Sequence, residues 1–198
     1  MGEKASTSEL QQLWANLKMD DAGSLKLLME YTYGLMFGYG SKFSGNKEFI
    51  QDCIQDVFIA IWQHRATLVV PDSPKGYLLT SLRRKMINNG AKNSWVPIDS
   101  LYNFDPEQDI SLDYIVFGHE EVATQMRLLN SLLARLSERQ REVIYLRFYQ
   151  NLSRNEIAEI MNISGQSVSN ILQKALHSLR KLWPVGHALL LCLWSLAA

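Results

Sequence analysis

SERQREVIYLRFYQNLSRNEIAEIMNISGQSVSNILQKALHSLRK, residues 137–181, decides how the chain is read. The stretch predicts three helices separated by two tight turns. Ser137, with Gln140 three residues on, has the spacing of a capping box, in which amides left over at a helix start are satisfied reciprocally. The helix it opens runs to about Tyr149, with Val143, Ile144, Leu146 and Phe148 apolar. Ser153 and Glu156 repeat the box and open a second helix carrying Ile157, Ala158, Ile160 and Met161. Asn162 accepts the left-handed backbone that ends a helix. Ser164 then caps a third helix. Its apolar positions Val168, Ile171, Leu172, Ala175, Leu176 and Leu179 step by three and four, the helical period.

Two short helices joined by a tight turn, with small Ala158 where they would cross, have the pattern of a helix-turn-helix. The third helix leaves Gln166, Ser169, Asn170, Gln173 and Lys174 facing outward, and Ser164 and Ser167 stand at its start. Such side chains hydrogen-bond base edges and phosphates in a major groove. A helical hairpin that merely packs has the same spacing. The two cap signals and the outer face favour DNA binding, because no Asp or Glu occurs between Ser164 and Lys181 and a carboxylate there would repel phosphate.

The chain has 198 residues, enough for one or two domains with a real core, and its 47% apolar content is ordinary for a globular protein. Net charge is zero, which alone argues against a simple nucleic-acid binder, but the distribution is uneven. Residues 1–90 sum to +1, residues 91–120 to −5 and residues 121–198 to +4. A mildly basic end is thus set apart by an acidic strip, and local charge governs what each part touches. Cys53 and Cys192 are far apart and in apolar surroundings, so a reduced cytosolic protein is expected. The polar start MGEKASTSELQQLW has no apolar signal core.

In chain order, residues 8–18 read as a short amphipathic helix with Leu10, Leu13, Trp14 and Leu17 on one face. A second helix spans about Ser24 to Phe43 and contains Gly34, Gly38 and Gly40, which mark close packing or the helix end. The third, Lys47 to about Arg65, buries Phe49, Ile50, Cys53, Ile54, Val57, Phe58, Ile61 and Trp62. Asp52, Gln55, Asp56, Ile59 and Gln63 line its other side. That side is either a solvated face with one stray Ile or a docking face for a basic partner with an apolar centre.

Ser73 and Pro74 open a fourth helix running to about Asn89, where Gly90 stops it. Tyr77, Leu78, Leu82 and Met86 form its apolar stripe, and Lys75, Arg83, Arg84 and Lys85 a basic cluster. Basic residues beside aromatic and amide side chains suit melted nucleic acid; a basic helix end also complements the helix dipole.

The domains expected are therefore residues 8–90, an acidic linker 91–120, residues 121–183 with helix resuming near His119 and running to Leu136, and an apolar tail 184–198. The tail, HALLLCLWSLAA after Pro184 and two more residues, is far short of a membrane span and is expected to pack on its own chain. The fold class is all-α with two helical domains. His64, His119, His177 and His187 show no ligand spacing, and there is neither a phosphate-cradling Gly loop nor a nucleophile elbow. No enzyme, cofactor, metal site or small-molecule substrate is expected.

The ordered pair of motifs resembles a bacterial sigma factor of the extracytoplasmic-function group, in its reduced two-domain form. In DCIQDVFIAIW, Asp52, Gln55, Asp56, Phe58 and Trp62 are similar to the family's region 2 motif. The resemblance implies that Asp52, Gln55, Asp56 and Ile59 grip the clamp helices of core RNA polymerase. YLLTSLRRKMIN resembles the segment that reads and melts the −10 element, which implies DNA contacts from Lys75, Arg83, Arg84, Lys85 and Asn88. The helix-turn-helix resembles region 4, which reads the −35 element and touches the polymerase flap. This implies DNA contacts from Ser164, Gln166, Ser167, Ser169, Asn170, Gln173 and Lys174.

The resemblance spans about residues 8–182. Arg84 follows Arg83 where family members often have Asn. Ser169 and Ile171 stand where Lys and Arg are common, leaving Lys174 as the clear cation. The layout resembles sigma factors held by membrane-bound anti-sigma factors, and implies a cytoplasmic protein on the nucleoid when active. The competing readings are a stand-alone helix-turn-helix regulator with a helical sensor domain, and an adaptor that binds only protein.

Overall fold

The computed structural model describes residues 5–93, 129 and 131–182. All regular elements among them are helical. They are α1 (Thr7–Leu17), α2 (Ala22–Gly40), α3 (Lys47–His64), α4 (Pro74–Asn93), α5 (Glu138–Ile144), a π-helical turn (Tyr145–Tyr149), α6 (Arg154–Met161) and α7 (Gly165–Leu182). They fall into two compact units, one holding α1 to α4 and the other α5, the π turn, α7 and most of α6.

Each start in the first unit is set by a local cap. Ser6 Oγ accepts from Glu9 N at 3.2 Å and Glu9 Oε2 accepts from Ser6 N at 2.6 Å, a full capping box. Asp21 accepts from Gly23 N and Asn46 from Phe49 N, opening α2 and α3. Ser73 Oγ accepts from Gly76 N ahead of α4, with Pro74 at the first helical position as expected. The four helices pack pairwise around one core. It is made by Leu10, Trp14 and Leu17 of α1, Leu28, Met36 and Tyr39 of α2, Ile50 to Ile61 of α3 at helical spacing, and Leu78, Leu79, Leu82 and Met86 of α4.

Trp14 meets Tyr77 edge-on at 5.0 Å, and Gln11 donates to the carbonyls of Pro71 and Asp72, fastening α1 to the loop before α4. Gly40 answers the question its sequence position raised. A β-carbon there would stand 2.7 Å from Ile50 Cγ2, so it is both the last residue of α2 and a point of close helix approach.

Two expected boundaries are corrected. Helix α4 does not stop at Gly90 but continues to Asn93. Glycine inside a helix costs only about 1 kcal/mol relative to Ala, and Ala91 and Lys92 after it are good helix formers. Of the helix expected from His119 to Leu136, residues 129 and 131–136 are described; 129 and 131–133 are helical, and Ala134 to Leu136 form a turn and bend instead. The remainder of the acidic linker and the apolar tail lie outside the described residues.

In the second unit both expected capping boxes form. Ser137 Oγ accepts from Gln140 N and Gln140 Oε1 from Ser137 N, and Ser153 with Glu156 repeats the exchange. Between them, Gln150 N donates to Tyr145 O at 3.1 Å, five residues back, so the first helix finishes as a π turn. Helix α6 ends on Asn162 at φ 54°, with Ile163 N donating to Ala158 O and Asn162 N to Glu159 O. That is a Schellman ending with Asn in the left-handed position. Val143, Leu146, Leu152, Ile157 and Val168 are buried between the helices. A second cluster joins Leu132, Leu133 and Leu136 to Ala175 and Leu179 of α7, with Leu129 and Ile144 against it.

Candidate nucleic-acid interface

Three groups of side chains were expected to act, and the helices place each. On α3, Asp52, Gln55 and Ile59 are exposed and Asp56 is half-buried, one stripe at steps of three and four. Ile59, the last of those four, is 46% exposed, while Ile50, Cys53, Ile54, Val57, Phe58 and Ile61 fill the core behind the stripe. Cys53 is buried, and burial pushes its thiol above the usual range. Asn89 Nδ2 lies 3.8 Å from the sulfur.

The basic cluster of α4 does not form one surface. Successive helical residues point about 100° apart, so Arg84 and Asn88 are exposed on one stripe, Lys75 and Lys85 are half-buried, and Arg83 turns inward. Arg83 is only 7% exposed. It lines a cavity of about 80 Å³ with Phe43, Ser44, Phe49, Met86 and Ile87. Lys85 Nζ forms an ion pair with Asp56 Oδ2. A residue expected to face DNA thus touches one expected to face polymerase.

Helix α7 is strongly two-sided. Val168, Ala175 and Leu179 are buried and Ile171, Leu172 and Leu176 half-buried. Gln166, Asn170, Gln173, Lys174 and His177 form the exposed side, with Ser169 half-buried beside them. Gln166 Nε2 donates to Asn170 Oδ1 at 3.1 Å, so the two amides lie side by side. Ser164 is the N-cap, accepting from Ser167 N at 3.1 Å, and the two hydroxyls are 2.8 Å apart. Ser169 Oγ is turned back onto Gly165 O. Ser164, Ser167 and Ser169 therefore have local bonds, while Gln173 and Lys174 project without them. One charged side chain near this face was not among the expected residues: Arg154, the first residue of α6, lies against Gly165.

Among the described residues there is no group of three or more His, Cys, Asp or Glu able to hold a metal ion, and no helix long and apolar enough to cross a membrane.

Two family models match in order along the chain: sigma-70 region 2 over residues 28–96 and sigma-70 region 4 over residues 132–181, together more than half its length. The chain belongs to the sigma-70 family. It is a sigma factor, a non-enzymatic protein that directs transcription initiation with core RNA polymerase and promoter DNA. Helices α2 to α4 are its region 2 and α5 to α7 its region 4.

The extracytoplasmic-function sigma factor SigK of Mycobacterium tuberculosis H37Rv is 22% identical over 187 residues, covering 90% of this chain and 96% of SigK. The sigma-B factor of Bacillus subtilis is 39% identical over 64 residues, covering 32% of this chain and 24% of that one. Two solved structures share the fold. CnrH, solved with the cytosolic domain of CnrY, gives a TM-score of 0.58 at 18% identity, covering 88% of this chain and 96% of CnrH. RpoE of Bartonella quintana, solved with the anti-sigma factor NepR, gives 0.54 at 18% identity, covering 81% and 97%.

Proposed function

We propose that this sigma factor is of the extracytoplasmic-function group and divides its work among three surfaces. The outer stripe of α3, Asp52, Gln55, Asp56 and Ile59, docks on the clamp helices of core polymerase. Arg84, Asn88, Lys75 and Lys85 of α4 face the −10 DNA, with Arg83 held apart from them by burial. The exposed amides of α7, Gln166, Asn170 and Gln173, read the −35 element, with Ser164, Ser167 and Ser169 at the flank and Lys174 on the backbone. Region 4 also touches the polymerase flap.

The observation that carries the reading is the pairing of region 2 and region 4 matches, in order, with a polar outer face on both α3 and α7. Whole-length similarity to SigK supports the group. The domains are 8–90 and 121–183, joined by the acidic stretch 91–120 and followed by the tail 184–198. The partner that holds the factor inactive is a membrane-bound anti-sigma factor, as the pairing of RpoE with NepR and of CnrH with a cytosolic domain supports. The protein works in the cytoplasm, on the nucleoid when active.

Specific transcription by purified core polymerase plus the full chain tests the reading. Failure to bind core polymerase while still binding a DNA site would instead mark a stand-alone regulator.

A further inference from the structure

Helix α7 is poorly charged for a helix that lies on DNA. From Ser164 to Ser178 its one Lys or Arg is Lys174. A β-carbon on Gly165 would stand 3.5 Å from Arg154 Nε, 3.8 Å from its Cδ and 3.9 Å from its Cγ. The Arg154 side chain therefore runs from the start of α6 to the first turn of α7, at ordinary contact distance from where a β-carbon at position 165 would stand. Arg154 is exposed, and neither it nor Lys174 has a hydrogen-bond or ion-pair partner among the described residues.

The placement has a geometric consequence. Positions 165 and 174 are nine residues apart, which at 3.6 residues per turn is about half a revolution round α7, and about 13 Å along it. Gln166, Asn170, Gln173 and His177 occupy the arc between those two positions, and Val168, Ala175 and Leu179 occupy the opposite, buried arc. The amide stripe is thus flanked by one cation at each edge, Arg154 at the Gly165 edge and Lys174 at the other. A helix lying lengthwise in a major groove has its base-reading stripe on the groove floor and its two edges toward the two sugar–phosphate strands.

We propose that Arg154 is a DNA-contacting residue that binds a backbone phosphate. It acts on the strand opposite the one held by Lys174, so that the two cations bracket the amide stripe and fix its register in the groove. Phosphate contacts of this kind position a reader without themselves choosing sequence. The proposal rests on the assignment of α7 to promoter DNA.

The test uses the full chain with core polymerase, on a promoter duplex selected by the wild-type complex from a randomised pool. Arg154→Ala and Lys174→Ala should each weaken binding to all sequences alike and lower the salt slope of log K by about 0.9, and together by about 1.8. Single neutral methylphosphonates are then placed along each strand. The site at which Arg154→Ala abolishes sensitivity should lie on one strand, and the Lys174→Ala site on the other.

If Lys174→Ala weakens binding while Arg154→Ala leaves affinity and slope unchanged, the proposal is overturned and the assignment of α7 stands. Mapping of both cations to one strand overturns the bracket. If both variants are silent, α7 does not lie on DNA, and the proposal fails with that assignment.

Discussion

Lys85 Nζ lies 2.9 Å from Asp56 Oδ2, so α3 and α4 are joined by a charge pair at their outer surface. Both side chains keep more than a third of their exposure, 37% and 44%, and in solvent such a pair contributes about 0–1 kcal/mol. Changes at Asp56 can therefore be read as interface effects rather than as unfolding. Asp52→Arg with Asp56→Arg should abolish binding to core polymerase and leave the circular dichroism spectrum unaltered. Wild-type affinity for core polymerase in this variant would remove α3 from the docking surface.

Arg83 and Arg84 are adjacent in sequence and should differ in kind. Arg83 is buried, and its loss leaves its surroundings incompletely satisfied. Arg83→Ala should destabilise the protein by about 1–3 kcal/mol in urea unfolding. Arg84 is exposed, so Arg84→Ala should stay within about 0.5 kcal/mol of wild type but lower the salt slope of open-complex formation by about 0.9. Equal stability losses in the two variants would contradict this division.

Two glycines of α2 make an opposed pair. A β-carbon on Gly40 meets Ile50 Cγ2 at 2.7 Å, whereas nothing stands within 4 Å of one on Gly34. Gly40→Ala should cost about 1–3 kcal/mol, as overpacking does. Gly34→Ala should stabilise by about 0.5–1 kcal/mol, because alanine loses less backbone freedom in a helix. Thermal unfolding of both variants checks the two signs together.

The caps of α1 and α2 predict an acid limb. Hydrogen bonds from Ser6, backbone first and then side chain, hold Glu9 below its ordinary range, and the Ser24 hydroxyl does most of the same for Asp21. Both carboxyls titrate lower folded than unfolded. Their contribution is therefore present above the unfolded carboxylate range and is lost as pH falls through the folded values. Glu9→Gln and Asp21→Asn should each flatten the fall in stability on acidification and leave its shape above neutrality unchanged. An acid limb identical to wild type in both variants would show that these caps do not set it.

Much of this was legible in the sequence because it is local. The boxes at Ser137 and Ser153, the Ser164 cap and the left-handed Asn162 depend on residues three or four apart, and all form. The apolar positions of α3 and α7 follow the helical period, so their buried faces were readable too. The burial of Arg83 was not legible because a run of cations reads as one patch, whereas a helix distributes consecutive residues round its axis. Whether a given one faces the core depends on Phe43 and Phe49, which are distant in sequence. The same is true of Arg154. Its side chain reaches a helix that begins eleven positions later, a proximity that is silent in the sequence until the turn between them is known.

The π turn at Tyr145–Tyr149 bears on how this chain compares with others of different length. Its hydrogen bond spans five residues where an α-helix spans four, so it accommodates one residue more than the regular helix needs. Tyr145 and Tyr149 stack at 5.0 Å and Gln150 Nε2 donates to Tyr145 Oη at 2.7 Å, which holds the surplus residue in register. A chain shorter by one residue here would make an unbroken α-helix into the same Ser153 cap. Insertions and deletions are ordinarily confined to loops; in this protein a helix has room for one.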